Sequence, residues 1–318
     1  MQRSTTCLSV LFAGLSGLAA AQGFPEKPIR VLVPFAAGSG TDILARIVTD
    51  EMRTSMGASF VIDNRAGGSG QIAAELVARA NPDGYTILLS TNTPHSVNPF
   101  LFKKINYDPV KDFDAVARMI YYIFILAVNP NINVKTVADL IAYTKANPGK
   151  TSYAYGNGSG QVNGAYLVSA AKLDSLAVPY KSTPPAMTDL IAGQVQWMFV
   201  DAASSQGHVK AGRLRAIAVM SDKRSPIFPD LPGVGETVPG FDTIPWAGMF
   251  APAHTPKAIV NKLNTEIVKA INKPAINQRL ADLGLAPGPS TPAELDKFVK
   301  EQLQAWGKKI KDAGIQPE

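Results

Sequence analysis

Short β-rich runs alternate with amphipathic helical segments along most of this 318-residue chain. The first run, IRVLVPF at 29–35, is almost continuously apolar, as in a strand that is buried on both faces. A helix with one apolar face follows it. Two further strands, near 60–62 and 85–89, flank a second helix over 71–80. This β-α-β-α-β order predicts a parallel sheet with right-handed crossovers.

A second set of such units follows a long apolar run at 119–128, which we interpret as one buried strand. A helix is predicted at 137–146, and another from the loop 156–160 to Lys172. The segment 225–245 is rich in Pro and Gly, which predicts a surface connection. The remaining strands are predicted at 152–155, 177–180, 195–200, 214–220 and 246–251.

The chain ends in two helices that have no predicted strand of their own. One begins at Thr255-Pro256, an N-cap followed by a proline that suits a first helical turn. The other begins at the capping box Thr291–Glu294 and runs to about Lys311. Both must cover a sheet formed earlier, most simply the first one.

This order implies an α/β protein with two lobes and two crossings between them. The crossings are expected near 122–128 and 244–251, with a cleft where the strand ends of both lobes meet. The corresponding domains are lobe 1, at 22–124 and 247–318, and lobe 2, at 125–246.

The first 21 residues have the composition of a cleaved secretory signal. Arg3 supplies a positive charge, an apolar run spans 8–20, and Ala19-Ala20-Ala21 fits the small-residue cleavage rule. A cytoplasmic protein with an apolar start is the alternative. The single cysteine, Cys7, lies in this segment, so the mature chain has no disulfide framework. We therefore expect export to the periplasm.

Charge excludes one class of partner. The formal net charge is +6, from 31 Lys and Arg against 25 Asp and Glu. These basic residues are dispersed, with at most two adjacent, and no basic block is interleaved with aromatic residues. Nucleic-acid binding needs clustered phosphate contacts, so it is not expected. The mild positive balance suits a small anionic ligand.

Two glycine-rich loops, Phe35–Asp42 and Gly156–Gln161, each lead from a strand into a helix. Such loops present unpaired N–H groups at a helix N-terminus, where anions bind. Neither matches a dinucleotide fingerprint or a P-loop, and the chain has no G-x-S-x-G motif. A tight structural turn is the alternative for each loop. Their occurrence in both lobes favours an anion site.

Groups able to catalyse a reaction are few. The histidines stand far apart, at 95, 208 and 254, without metal-ligand spacing. Asp42 and Asp201 follow strands and would meet in the cleft; helix capping and a solvated loop are their alternative roles. We therefore expect no metal and no cofactor. A Ser-His-Asp arrangement in three dimensions stays open as an alternative, although no nucleophile motif supports it.

Several motifs together resemble one family. They include IRVLVPFAAGSGTD at 29–42, NRAGGSG at 64–70, NPDGYTIL at 81–88, LIAGQ at 190–194, AGRLRAIAV at 211–219 and WAGMFAPAHTP at 246–256. The chain resembles the Bug family, the extracytoplasmic solute-binding proteins of tripartite tricarboxylate transporters, from about residue 25 to 315. The resemblance implies a two-lobed periplasmic-binding-protein fold of the type II-like, Venus flytrap kind. It also implies no catalysis and capture of a small carboxylate.

The resemblance assigns ligand-binding residues to loops of both lobes. The first loop contributes Phe35, Ala37, Gly38, Ser39, Gly40, Thr41 and Asp42. The second loop contributes Ser90, Asn92 and Thr93. Lobe 2 contributes Gly158, Ser159, Gly160 and Gln161, and Asp201 and Ala202 lie where the family closes this lobe over the ligand. The chain departs from the family at Ala36-Ala37, usually two prolines, and at Val162-Asn163, often His-Leu.

The sequence thus predicts a monomeric periplasmic receptor for a mono-, di- or aromatic carboxylate. It would close its lobes on the ligand and deliver it to the permease subunits of a tripartite tricarboxylate transporter. Backbone N–H groups, and not Lys or Arg, would hold most of the carboxylate. The alternatives are a sensory receptor that presents its closed form to a signalling partner, and a secreted α/β hydrolase.

Overall fold

The computed structural model describes residues 23–318, so the predicted signal at 1–21 lies outside the described residues. The strands are β1 Ile29–Val33, β2 Phe60–Asn64, β3 Thr86–Thr91, β4 Phe113–Tyr122, β5 Phe124–Val128, β6 Thr151–Tyr155, β7 Ser175–Pro179, β8 Trp197–Asp201, β9 Arg215–Val219, β10 Trp246–Pro252 and β11 Leu285–Pro287. The helices are α1 Gly40–Met56, α2 Gln71–Ala78, α3 Asn98–Leu101, α4 Val137–Ala146, α5 Gly158–Ala170, α6 Thr183–Ala192, α7 Ala202–Lys210, α8 Lys257–Asn272, α9 Pro274–Asp282 and α10 Pro292–Asp312.

The strands form two sheets, one in each lobe. The sheet of lobe 1 has the order β11-β4-β10-β3-β1-β2, and that of lobe 2 the order β7-β6-β8-β5-β9. β1 pairs in parallel with β2 and β3, as the sequence predicts, whereas β10 pairs antiparallel with β3 and β4. In lobe 2, β6 is parallel to β7 and β8, and β5 is antiparallel to β8 and β9. In each sheet, the strand that follows a crossing, β5 or β10, therefore lies between two strands to which it is antiparallel.

The prediction of one strand at 119–128 is wrong. β4 ends at Tyr122 in the first sheet and β5 begins at Phe124 in the second, so the chain changes lobe at Ile123. Both halves are largely buried and equally apolar, which is why the pattern of hydrophobicity does not reveal the break.

The connection at 225–245, which leads the chain back to lobe 1, is partly buried, although its Pro and Gly content predicts a surface connection. Between β9 and β10 it contains a short 3₁₀ turn at Val234–Glu236. Val234, Val238 and Phe241 are all buried in the main hydrophobic core. These three buried side chains fix the conformation of the connection. It forms the second crossing between the lobes and lies beside the first.

The C-terminal helices do have a strand of their own, contrary to the prediction. β11 is a three-residue strand that pairs antiparallel with β4. α8 and α10 both pack against β4, so they cover the sheet of lobe 1. Thr291 and Glu294 form the predicted capping box of α10. No helix within residues 23–318 is long and apolar enough to span a membrane.

Candidate functional site

A cavity lies between the two sheets, with an empty volume of about 300 Å³. Both lobes and the first crossing contribute to its wall. Its lining consists of Phe35, Ser39, Gly40, Thr41, Thr91, Asn92, Thr93, Tyr122, Phe124, Asn157, Ser159, Thr183 and Asp201. We refer to it as the interlobe cavity.

Four helices begin at this cavity, one in lobe 1 and three in lobe 2. Each follows directly after a strand end or loop of its sheet, and its cap or first turn contributes to the lining. The cap residues are Ser39 for α1, Asn157 for α5, Ser182 for α6 and Asp201 for α7. Helix N-termini carry partial positive charge and unpaired N–H groups, so their convergence favours an anion at this point.

The start of α1 shows how donors are left available. The Ser39 hydroxyl accepts the Asp42 N–H over 3.3 Å, and the Asp42 carboxylate accepts the Gly38 N–H over 3.0 Å. The N–H groups of Gly40 and Thr41 make no hydrogen bond within residues 23–318. Both residues line the cavity, so these two donors are available in its wall.

The lobes contact each other directly at the cavity rim. The Asn92 side-chain amide donates to the Ser159 hydroxyl over 2.9 Å, and the Gly158 N–H donates to the Thr93 hydroxyl over 3.1 Å. Between the same two lobes, the Ala36 N–H donates to the Ser182 hydroxyl over 3.1 Å. Three hydrogen bonds therefore join the lobes around the cavity.

Aromatic side chains form the apolar part of the wall. Phe35, Tyr122 and Phe124 are all buried, and the Tyr122 hydroxyl lies 2.9 Å from the Thr41 hydroxyl. Burial raises the pKa of Tyr122 well above its usual value, so this hydroxyl stays protonated. The wall therefore offers apolar surface for the body of a ligand beside the polar helix ends.

Charge in the lining is confined to one carboxylate. Asp201 is 4% exposed, and burial raises its pKa although the Ser204 N–H favours the charged form. Within the described residues, the lining contains no Lys, Arg or His. The groups in the lining that can attract an anion are therefore backbone N–H groups, hydroxyls and the side-chain amides of Asn92 and Asn157.

The structure brings together eight of the sixteen residues that the resemblance assigns to ligand binding. Those in the lining are Phe35, Ser39, Gly40, Thr41, Asn92, Thr93, Ser159 and Asp201. The other eight are not part of the lining; they are Ala37, Gly38, Asp42, Ser90, Gly158, Gly160, Gln161 and Ala202.

Most of these eight residues make contacts that hold the loops in shape. Asp42 pairs with Arg46; burial opposes its ionisation, but Arg46 and the Gly38 N–H lower its pKa. Ser90 shares a 2.7 Å hydrogen bond with the buried His95. The Gly160 N–H donates to the Asn157 side chain, and the Ala202 N–H donates to the Ile123 carbonyl. The alternative role of Asp201 in a solvated loop is wrong, since it is a buried N-cap.

Five lining residues are absent from the assigned ligand residues: Thr91, Tyr122, Phe124, Asn157 and Thr183. Of these, only Asn157 lies within a predicted anion-binding loop, Gly156–Gln161. The start of α6 carries a recognisable signal, because Ser182 and Thr183 precede two prolines as at a helix N-terminus. Asn157 likewise is a typical N-cap residue, and its side chain accepts the Gly160 N–H. Tyr122 and Phe124 reach the cavity only because the chain crosses between the lobes there.

The fold and the cavity define a class of protein. Two α/β lobes, two crossings and a polar cavity at helix N-termini are the features of a periplasmic solute-binding receptor. The family follows from the sequence itself: the family described as "Tripartite tricarboxylate transporter family receptor" matches residues 44–315. The chain belongs to this family.

The similarity to known proteins extends along nearly the whole chain. The protein BugT of Bordetella pertussis is 32% identical, over 95% of this chain and 94% of that protein. The structure titled "R. palustris Rpa4515 with adipate" has a TM-score of 0.90 and 34% identity, over 93% of this chain and 100% of that one. MatC from Rhodopseudomonas palustris, with bound malate, has a TM-score of 0.85 and 32% identity, over 90% and 100%. The Bug-family resemblance is thereby confirmed, and the chain is a solute-binding receptor and not an enzyme.

Proposed function

We propose that this receptor captures a small mono- or dicarboxylate in the interlobe cavity. The observation that carries the proposal is the convergence of four helix N-termini on a cavity without a basic side chain in the described residues. A carboxylate accepts hydrogen bonds from such N–H groups at short distance and with charge assistance. In particular, the free N–H groups of Gly40 and Thr41 are placed to receive it.

The size of the cavity limits the ligand. Its empty volume of about 300 Å³ includes space that is open to solvent, so the enclosed part admits only a small ligand. The related structures that hold adipate and malate support this class of ligand. The aromatic wall at Phe35, Tyr122 and Phe124 would contact its carbon skeleton.

The expected affinity follows from the donors. A hydrogen bond to a charged group contributes roughly 1.5–3 kcal/mol. About four of them, less the cost of immobilising the ligand, give the roughly −8 kcal/mol of a micromolar complex. Closure of the lobes is favoured because the ligand contacts both of them only in the closed state.

We further propose that residues 1–21 direct the chain to the periplasm, where it delivers the ligand to the permease of a tripartite tricarboxylate-type transporter. The family supports this role, since its description names that transporter. Deletion of the neighbouring permease genes should abolish uptake of the ligand. Uptake that persisted would indicate a sensory receptor instead.

A thermal-shift screen of carboxylates, aromatic acids included, tests the ligand class. An acid at about 100 times its dissociation constant should add roughly 2.7 kcal/mol to the free energy of unfolding. The neutral amide of the same acid is the matched control and should add much less. If no acid shifts the melting temperature, or if the amides shift it equally, the proposed function is wrong.

A further inference from the structure

Asp201 is the one charged side chain that the described chain contributes to the interlobe cavity. It is the N-cap of α7, and its Oδ1 atom accepts the Ser204 N–H over 2.9 Å. Its Oδ2 atom accepts no hydrogen bond within residues 23–318, and Asp201 has no ion-pair partner there. A buried carboxylate in the wall therefore retains a free acceptor.

This carboxylate lies against the start of α1 in the other lobe. A Cβ atom at residue 40 would collide with the Asp201 carboxylate, so the two segments approach each other as closely as a glycine allows. Gly40 and Thr41 hold the free N–H groups at which we place the ligand carboxylate. The ligand carboxylate and Asp201 are then neighbours, and no basic side chain of the described lining separates them.

An ionised carboxylate can only accept hydrogen bonds, so a second carboxylate beside it is repelled. The arrangement becomes favourable when the ligand also carries an O–H or N–H group that donates to Asp201. Burial raises the pKa of Asp201, which shows that its charge is costly here without such a donor.

We propose that Asp201 determines specificity: it selects carboxylates that bear a hydroxyl or amino group close to the carboxylate, over those that lack one. This inference rests on the proposed function and names the ligand class more narrowly. The helix ends attract the carboxylate of any small acid, whereas Asp201 distinguishes acids by the neighbouring donor.

Matched pairs of acids test this proposal by calorimetry on the protein without residues 1–21. Suitable pairs are malate and succinate, lactate and propionate, and mandelate and phenylacetate, which differ only in one hydroxyl group. The wild type should bind the hydroxylated member of a pair about tenfold more tightly, or better. In Asp201→Asn the side-chain oxygen still caps α7, while the new NH₂ group donates to a carboxylate. This variant should lose the preference or reverse it.

Two controls separate specificity from folding. Asp201→Ser also retains a capping oxygen and should lose the preference, and Asp189→Asn, outside the cavity lining, should keep it. The proposal is overturned if the wild type binds both members of each pair equally. It is also overturned if Asp201→Asn keeps the preference. The same holds if the acids without the hydroxyl group bind as tightly as their hydroxylated partners, with uptake of one proton on binding. If no acid of either kind binds, the proposed function itself fails.

Discussion

Asn92 in lobe 1 and Ser159 in lobe 2 are joined by a 2.9 Å hydrogen bond, and both residues line the interlobe cavity. Asn92 follows the end of β3, and Ser159 is the second residue of α5. Both side chains are buried. The contact between the lobes is therefore made by residues of the candidate site itself, so closure and ligand binding are physically linked.

Ser159→Ala should weaken ligand binding about fivefold, because the Asn92 amide loses its acceptor in the other lobe. The loss corresponds to about 1 kcal/mol, as for one neutral hydrogen bond. Calorimetry with the acid found by thermal shift measures it. Ser169→Ala, at the exposed end of α5, is the control and should bind like the wild type. An unchanged affinity for Ser159→Ala would show that the bond contributes nothing to closure.

Gly38→Val should impair binding through backbone strain. Gly38 has φ +81°, a conformation that a β-branched residue rarely adopts, although a Cβ atom at this position would meet no atom within 4 Å. Gly212→Val is a matched control, since Gly212 has φ +68° and equally open surroundings outside the lining. We expect both variants to lose similar stability and only Gly38→Val to lose affinity. Equal affinities would place the binding loop elsewhere.

Gly158→Val should hinder closure by direct contact. A Cβ atom at residue 158 would lie 2.7 Å from Val97 Cγ1 and 3.1 Å from Thr93 Cγ2, both in lobe 1. We expect the affinity to fall more than tenfold and the ligand-dependent decrease in radius of gyration, measured by small-angle scattering, to disappear. Gly207→Val, a helix position with no neighbour within 4 Å, controls for helix propensity. Wild-type compaction in Gly158→Val would contradict this account.

His95→Gln should flatten the dependence of stability on pH. His95 is fully buried, and burial lowers its pKa from 6.5 to about 3. As the pH falls from 6.5 towards 3, the unfolded chain binds a proton that the folded chain does not, so the free energy of unfolding decreases. One such proton changes it by up to about 1.4 kcal/mol per pH unit. Urea unfolding between pH 6.5 and 4 measures this slope. Identical slopes for both proteins would show that His95 is not the buried titrating group.

Much of the fold could be predicted from the sequence, because the local sequence patterns favour the same helices and strands that the structure contains. The apolar run at 29–35 and the capping box Thr291–Glu294 both predict the observed elements. The change of lobe at Ile123 could not be predicted, since a buried strand has the same composition in either sheet. The three-residue β11 was missed because its pairing depends on β4, which is distant in sequence.

The site was predictable where a single loop creates it. Ser39, Gly40 and Ser159 belong to glycine-rich segments that open helices, and all three line the cavity. The sequence predicts Asp201 in the cleft, but not its burial, because that burial depends on the approach of Gly40 from the other lobe. Pairing across lobes is a tertiary property that no local pattern contains.

A crystal structure of the protein without residues 1–21, bound to an acid selected by thermal shift, tests the central claim most directly. We predict that the ligand carboxylate lies in the interlobe cavity and accepts hydrogen bonds from the N–H groups of Gly40 and Thr41. We also predict that no Lys or Arg side chain contacts it. A carboxylate held mainly by basic side chains, or bound outside this cavity, would contradict the account.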